Sequence, residues 1–346
     1  MDWLHQLTTR LPSLPGMFRN TASSEQMAIY VSGSAVATAI VEANSSLDEG
    51  KLGVRMQASP ISQLADMPEV LPTQLANLEV NGSSSCNLVL APELYHLVLV
   101  EKPEVAEEEV ADAVRWSLQE HVDYPVEEAV IDTFDLPVSA SRERPMVYVA
   151  CIQQSFLRTL IDKLQNVAVT PASIDISELA LRNLVWRCFP SHDQSVALLR
   201  LTANSGMISV SRGDALYLSR RISGAPKAFN DVEWEDFRDR MLLQVQRSID
   251  YYESAMNQPH CNVLMAACTH NWSARVCDYL SEVLPIPVRT LGSLVEDEVS
   301  LRLFNPHQEL VDWSQLTEDQ ANAIAAGLPA IGGVLRRTIH QSLEVA

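Results

Sequence analysis

Residues 28–43 read AIYVSGSAVATAIVEA, which is an apolar run, a Ser-Gly-Ser turn at residues 32–34 and a second apolar run. This pattern predicts two strands joined by a tight turn. Backbone N–H groups in such a turn can cradle a phosphate. Whether this turn does so depends on the residues around it.

The same kind of pattern starts again near the middle of the chain. Strands are predicted at 195–201, 207–211 and 215–221, with the tight turns ANSG and RGD between them. In each half, the strands are followed by alternating helices and strands. This order predicts an α/β protein of two similar halves, closed by a C-terminal helix.

Hydrophobic periodicity predicts the remaining elements. The first half is expected to begin with a strand at 52–57, a loop with a short helical piece at 58–86, and a hairpin of 87–91 with 95–101. A helix is expected at 106–120, because Val110, Val114 and Leu118 form one apolar stripe. It is followed by strands at 129–136 and 146–152, a helix at 156–165, a strand at 167–173, and a helix at 178–186 capped by Ser177. The second half is expected to contain a long helix at 232–255, with one apolar face, a strand at 261–266, a helix at 273–283, a strand at 287–291, and a last helix starting at 319–326 whose regularity is broken by Gly327, Pro329, Gly332 and Gly333.

The net charge, the cysteines and the apolar runs of the chain argue against nucleic-acid binding, a disulfide-linked protein and a membrane span. The 346 residues carry a formal net charge of −19. Such a surface repels nucleic acid and anionic lipid, and no basic stripe offsets it. Six cysteines lie mostly in apolar runs, as buried thiols do in a reducing compartment. The apolar runs 26–41 and 320–335 are shorter than the ~20 residues that span a bilayer, so we expect a soluble, cytoplasmic chain.

Four segments resemble a known family. They are LVLAPELYHLVLVEKPEVAEEEVADAVRWSLQEHVDYPVEEAVIDTFDLP (88–137), ASIDISELALRNLV (172–185), LLQVQRSIDYYESAMNQP (242–259) and GLPAIGGVLR (327–336). On these residues the chain resembles the MshI family of MSHA pilus biogenesis proteins, over roughly residues 25–340. That family is grouped with PilM and GspL, actin-like cytoplasmic components of type IV pilus and type II secretion machines.

The resemblance implies an α/β actin-like ATPase (RNase H-like) fold, with two similar lobes around a central cleft. It divides the chain into a flexible N-terminal tail at 1–24, a first lobe at 25–190 with an inserted subdomain at about 88–150, a second lobe at 191–317, and a C-terminal helical segment at 318–346 that packs back on the first lobe. The tail also has an amphipathic piece, which leaves open a docking helix for a membrane or partner protein.

In ATP-binding relatives, three loops build the cleft: a D-x-G-S-S pattern, a second D-x-G turn and a Gly-Gly turn. This chain departs from all three. Its residues at the corresponding positions are Tyr30 for the first Asp, Ser32 for its Gly, Ser34 in the same turn, Ala37 for a Lys that often follows, Arg200 and Thr202 for the second Asp and Gly, and Ala266-Ala267 or Ala267-Cys268 for the Gly pair.

These replacements predict a degenerate nucleotide cleft. Mg²⁺ is held by carboxylates and waters, which Tyr30 and Arg200 do not supply. Phosphoryl transfer depends on metal and positioning, so no catalytic residue, no metal site and no bound cofactor is expected, and ATP with magnesium is disfavoured. Arg200 leaves two alternatives open: binding a phosphate without metal, or pairing with a carboxylate across the closed cleft.

The resemblance therefore implies a non-enzymatic scaffold at the cytoplasmic face of the inner membrane, in an MSHA-type pilus assembly platform. Its expected partners are a bitopic inner-membrane protein (MshJ or a PilN-like subunit), whose cytoplasmic tail docks in a groove, and the motor ATPase. Those partners would hold it peripherally at the membrane, because it has no predicted span. The alternative is an actin-like ATP-binding switch or weak ATPase in pilus or type II secretion assembly.

The sequence does not favour a zinc site or paired catalytic carboxylates, and it gives the aromatic residues two possible roles. Residues His260, Cys261, Cys268, His270 and Cys277 lack the C-x₂₋₄-C spacing of zinc sites, and strand geometry would place Cys261 and Cys268 on opposite sides. The acidic residues Glu127, Glu128, Asp132 and Asp135 are typical of turn and edge charge. The aromatic residues Trp116, Trp186, Tyr251 and Tyr252 lie in predicted helices, where they belong to the core or line a partner groove.

Overall fold

A computed structural model describes most of the chain. The described residues are 27–42, 52–80, 82, 84–140, 144–202, 206–222, 231–268, 270–290, 301–311 and 317–336. The predicted tail at 1–24, three residues of the ANSG turn (203–205) and the end of the predicted C-terminal segment (337–346) lie outside the described residues. No helix in the described part of the chain is both long and apolar enough to span a membrane.

The first sheet grows from the quoted stretch at 28–43. Strands β1 (Met27–Val31), β2 (Ala35–Val41) and β3 (Leu52–Pro60) form an antiparallel meander, as predicted. Strands β4 (Ser84–Leu90) and β8 (Val169–Ile176) continue the sheet parallel to β1, which gives the order β3-β2-β1-β4-β8.

The second sheet has the same order. Strands β9 (Ser195–Leu201), β10 (Gly206–Arg212) and β11 (Ala215–Ile222) form the meander, and β12 (Val263–Cys268) and β13 (Val288–Thr290) continue it in parallel. The order β11-β10-β9-β12-β13 therefore matches β3-β2-β1-β4-β8 strand for strand. The three meander strands predicted near residue 195 are confirmed.

One strand crosses the predicted lobe boundary. Strand β14 (Leu301–Phe304) pairs in parallel with β3 at the edge of the first sheet, although the sequence assigned 191–317 to the second lobe. Leu301 and Leu303 are buried while Arg302 is exposed, so the strand buries one face against the first lobe. A run of only four residues, LRLF, gave too short an alternation to predict.

A third sheet lies between β4 and β8 in sequence. Strands β5 (His96–Glu101), β6 (Ala129–Asp135) and β7 (Met146–Gln153) pair antiparallel in the order β5-β7-β6. We call residues 96–153 the insert. The predicted hairpin of 87–91 with 95–101 is wrong, because the 3-10 turn Pro92–Leu94 directs the chain from the first sheet into this separate one.

The insert has an outer layer, residues 107–128, over one face of its sheet. The predicted helix at 106–120 is instead a 3-10 turn at Glu107–Glu109, the single α-helical turn α2 (Val110–Ala113) and a 3-10 turn at Arg115–Leu118. The predicted apolar stripe is nevertheless buried, and it forms one core cluster with strands β6 and β7.

The remaining helices flank the three sheets. They are α1 (Met67–Asn77), α3 (Gln154–Gln165), α4 (Ser177–Cys188), α5 (Asp231–Asp250), which continues as a π-helical turn at Tyr251–Ala255, α6 (His270–Val283) and α7 (Glu318–Val334). The apolar face predicted for α5 is buried. Ser177 is not the cap of α4: Ile176 occupies that position, and the Ser177 hydroxyl donates to the Leu90 carbonyl at 2.7 Å.

Helices α4 and α7 lie in the core between the first two sheets. Helix α7 is continuous through its glycines and Pro329, so the predicted break is wrong. The glycines permit close packing: a Cβ on Gly332 would lie 1.9 Å from the Ala180 carbonyl oxygen, and one on Gly333 would lie 2.6 Å from Val89 Cγ2. Because the contacts are with neighbouring elements, glycine here serves packing and not a turn.

Candidate functional site in the interlobe cleft

Tyr30 and Arg200 occupy corresponding positions on β1 and β9, and the fold brings them together. The Arg200 Cζ atom lies 5.8 Å from the centroid of the Tyr30 ring. Each residue is only 3% exposed. The two positions that the sequence aligned with metal-holding aspartates therefore carry an aromatic ring with a guanidinium over it, a cation–π arrangement.

Arg200 also binds the helix between the lobes. Its Nη2 donates to the Ala326 carbonyl of α7 at 3.1 Å, while its buried Nε has no hydrogen-bond partner among the described residues. Burial raises the pKa of Tyr30, and the positive charge of Arg200 opposes that rise. Arg200 therefore contacts the Tyr30 ring and the Ala326 carbonyl, two partners that the sequence did not predict.

The backbone groups of the β1–β2 turn are satisfied within the protein. The Ser32 hydroxyl accepts from the Ala35 N–H at 2.8 Å and the Ser34 N–H at 3.3 Å, and it donates to the Ala35 carbonyl at 3.0 Å. The Gly33 N–H donates to Glu93 Oε1 at 3.0 Å. A phosphate at this turn would have to displace these acceptors and would meet the charge of Glu93.

Ala37, at the position of the family's lysine, lies under α7. It is the ladder partner of Tyr30 and is fully buried. A Cβ on Gly327 of α7 would lie 3.1 Å from the Ala37 Cβ and 2.5 Å from the Met56 sulfur. The contact leaves no space for a lysine side chain at this position.

The structure describes the third of the three nucleotide-loop positions fully and the second only in part. Thr202 directly follows β9, and the next three residues lie outside the described part of the chain. Ala266 and Ala267 are buried inside β12, and Ala267 is the ladder partner of Arg200. Both candidate positions of the Gly-Gly turn, Ala266-Ala267 and Ala267-Cys268, lie within this strand, which continues through Cys268. The small apolar residues extend the strand into the core instead of starting a turn.

Two further contacts cross between the lobes. Arg221 of β11 donates to the carbonyl of Pro92 and, at 3.4 Å, to that of Tyr95. The Tyr95 hydroxyl donates to the Glu178 carboxylate of α4. Burial raises the pKa of Glu178, and burial together with the Glu178 charge raises that of Tyr95. The sequence did not predict this cluster of Arg221, Tyr95 and Glu178, because Glu178 has the pattern of an ordinary acidic residue in the first turn of a helix.

The insert also contacts the second lobe. The Tyr148 hydroxyl donates to the Tyr217 carbonyl at 3.1 Å, and Gln258 Nε2 donates to the Ser139 carbonyl at 2.6 Å. Leu136 and Tyr148 belong to the second lobe's core cluster. The insert therefore adds contacts between the two lobes to those made by α4 and α7.

The structure places the cysteines of the rejected zinc site and the acidic residues around β6. Among the described residues, no three His, Cys, Asp or Glu side chains are placed to hold a metal. Cys261 precedes β12 and Cys268 ends it, and both belong to the second lobe's core, so the prediction of opposite sides is wrong. Burial raises the pKa of the Cys261 thiol to about 11. Asp135 pairs with Lys102 at 2.8 Å, and Glu128 accepts from Gln153 at 3.0 Å.

The four aromatic residues have different environments. Tyr252 is buried, as predicted, and Trp186 is half-buried with its ring 4.6 Å from that of His192. Trp116 and Tyr251 are exposed and so are not core residues, and the alternative that they line a partner groove stays a prediction. Both lie where regular α-helix is interrupted, in a 3-10 turn and a π-helical turn, and helical periodicity does not predict the facing of such residues.

No sequence family model and no curated protein sequence matches the chain. Among solved structures, a chain of the PilM-PilN type IV pilus biogenesis complex is similar, with 18% identity and a TM-score of 0.64 over 90% of this chain and 98% of that chain. The cytoplasmic domain of EpsL, an inner membrane component of the type II secretion system of Vibrio cholerae, is 13% identical, with a TM-score of 0.43 over 87% of this chain and 94% of that one.

A Bacteroides thetaiotaomicron protein with an actin-like ATPase fold is 12% identical, with a TM-score of 0.46 over 81% of this chain and 95% of that one. At these identities, the similarity concerns the fold. The chain has an actin-like ATPase fold, and the fold class predicted from the sequence is confirmed.

Proposed function

We propose that this chain is a non-enzymatic scaffold in the inner-membrane assembly platform of a type IV pilus. The observation that carries the proposal is the contact of Tyr30 with Arg200, which fills the place of the metal-holding carboxylates. With Mg²⁺ unsupported, in-line attack on a γ-phosphate loses its main source of rate. An actin-like fold without its metal chemistry retains two lobes, and their surfaces bind other proteins.

The fold likeness supports a pilus role. The structure with the TM-score of 0.64 is a complex of PilM with PilN, so a chain of this shape is found in an assembly of that kind. By analogy, the partner here is a bitopic inner-membrane subunit, MshJ or a PilN-like protein, whose short cytoplasmic tail docks on the chain. The same scaffold would contact the motor ATPase. The chain would then act in the cytoplasm, peripheral to the inner membrane, in an MSHA-type system.

The hydrogen bonds of the cleft residues support a constitutive scaffold over a nucleotide-gated switch. The turn amides are bound to Ser32 and Glu93, and Arg200 is bound to α7. A switch needs a ligand that binds one conformation better than another. In this chain, protein groups already occupy the positions through which ATP would supply that difference.

A peptide-binding measurement tests the proposal. The labelled cytoplasmic tail of the PilN-like or MshJ subunit is titrated with the full chain, and fluorescence anisotropy is recorded with and without about 1 mM Mg-ATP. We expect binding in the micromolar range, about −8 kcal/mol, and the same affinity in both series. A scrambled tail is the control. Absence of binding at about 100 µM contradicts the docking role, and an affinity that rises tenfold with Mg-ATP supports the switch instead.

A further inference from the structure

Trp116 projects from the outer layer of the insert. Its side chain is 64% exposed, although its neighbours Val114 and Leu118 are buried in the insert's own core. Of the three tryptophans whose side chains the structure describes (116, 186 and 234), it alone is exposed. A large apolar ring in water is unfavourable, and exposed tryptophans are enriched where proteins bind partners.

The backbone that carries Trp116 is firmly held by the adjacent residue. Arg115 is buried, and its Nη1 donates to the carbonyls of Val126 and Ala129, both at 2.9 Å. Its Nη2 donates to Asp112 Oδ1 at 3.2 Å. The indole is therefore presented on an ordered turn, and a partner that binds it loses little conformational freedom of the anchor.

The surface around the indole is strongly acidic. Between residues 103 and 128 the only Lys or Arg is the buried Arg115, whereas nine acidic residues occur, and all nine are exposed. They are Glu104, Glu107, Glu108, Glu109, Asp112, Glu120, Asp123, Glu127 and Glu128. Asp112 and Glu120 lie four residues before and four residues after Trp116 in the sequence, and both are exposed in the same outer layer of the insert. We call Trp116 with these nine residues the Trp116 surface.

This surface points away from the cleft. The insert's sheet packs one face, through Phe134 and Tyr148, toward the second lobe. The other face lies under Val110, Val114 and Leu118, and the Trp116 surface is the exposed side of that layer. A partner bound here would therefore not contact the cleft between the lobes.

We infer that the Trp116 surface docks a basic amphipathic segment of a partner protein. Aliphatic side chains of that segment would cover the indole, and its Lys and Arg side chains would face the carboxylates. Charge complementarity selects this occupant. A second copy of the chain would bring the same nine carboxylates, and an anionic membrane or nucleic acid would be repelled.

A defined probe tests the inference. A labelled 18-residue amphipathic helical peptide of Leu and Lys is titrated with the full chain at about 50 and 200 mM salt. We expect micromolar binding that weakens with salt. Trp116→Ala should weaken it about tenfold, and Asp112→Lys with Glu120→Lys should weaken it and reduce the salt dependence. Val138→Ala, at an exposed (82%) apolar residue of the insert outside this surface, is the matched control and should have no effect.

Four outcomes overturn the inference. They are no binding at about 100 µM peptide, equal binding to Trp116→Ala, equal binding of the same peptide with Glu in place of Lys, and a wild-type dimer by sedimentation that Trp116→Ala abolishes. Thermal melting checks that Trp116→Ala remains folded. The membrane subunit's tail is titrated in parallel: absence of tail binding counts against the proposed function, and absence of binding of the Leu-Lys peptide counts against this inference.

Discussion

The two lobes share one strand order but face the cleft with opposite chemistry. Strand β1 presents Tyr30 and strand β9 presents Arg200, each as the last residue but one of its strand. In a nucleotide-binding cleft, both lobes need an oxygen ligand for the same metal. Here, one lobe supplies an aromatic ring and the other a cation, and the two residues bind each other.

This difference teaches that two lobes with one strand order can be joined by unlike side chains at corresponding positions. The lobes are held by Arg200 at Ala326, by Arg221 at Pro92 and Tyr95, and by the insert at Tyr217. Within the described residues, only the first lobe carries an inserted sheet and the extra edge strand β14. The insert therefore adds contacts between the lobes that the shared strand order does not supply.

The largest expected effect comes from the helix that both lobes share. Gly332→Ala should destabilise the chain by about 3 kcal/mol or more, because the new Cβ would overlap the Ala180 backbone of α4. Gly327→Ala is the matched control on the same helix. Its Cβ would mainly displace the flexible Met56 side chain, so its loss should be smaller. Urea unfolding measures both, and equal losses would contradict the close packing of α7 on α4.

Removing the cation should have the next largest effect. Arg200→Met keeps much of the side-chain volume but loses the contact with Tyr30 and the bond to Ala326, and we expect a loss of about 1–3 kcal/mol. Tyr30→Phe keeps a ring under the guanidinium and should lose less. A double-mutant cycle with Tyr30→Ala should give a coupling energy above about 0.5 kcal/mol. Additive losses would show that the two lobes do not interact through this pair.

The contact of the insert with the second lobe is expected to contribute less. Tyr148→Phe removes the hydroxyl that donates to the Tyr217 carbonyl and should cost about 1 kcal/mol in the free energy of unfolding. Hydrogen exchange should increase at the amides of β11 more than at those of β2. Unchanged exchange in β11 would contradict a stabilising role of the insert across the lobes.

The smallest effect should depend on pH. Burial raises the pKa of Glu178 above its ordinary value of 4.5, so the folded chain holds this proton to higher pH than the unfolded chain does. The stability that the protonated Glu178 contributes is therefore present below its unfolded-state pKa and is lost as the pH rises through its higher pKa in the folded chain. Glu178→Gln cannot ionise and should gain stability relative to the wild type as the pH rises above 4.5, the ordinary pKa of the carboxyl. A difference that is constant with pH in urea titrations would contradict this.

Much of the fold could be predicted from the sequence, because alternation and tight turns are local signals. The two meanders and the buried face of α5 followed from them. The destination of the chain after Leu90 did not, because apolar runs on both sides of Pro92 look like a hairpin whichever sheet each joins. Glycines in α7 looked like breaks because their role depends on Ala180 and Val89, which are distant in sequence.

The candidate site could be predicted only as a set of substitutions. Sequence reasoning identified Tyr30 and Arg200 as replacements for carboxylates, but it did not show that they meet. It also gave no sign that Glu93 would bind the Gly33 N–H. Such contacts arise from packing two lobes together, which no local pattern encodes.

The central claim is that the paired cleft does not bind Mg-ATP, and calorimetric titration of the full chain tests it most directly. The account predicts no saturable heat up to about 1 mM nucleotide. This result means a dissociation constant above about 1 mM, which is a binding free energy weaker than about −4 kcal/mol. Saturable binding tighter than about 100 µM would contradict it.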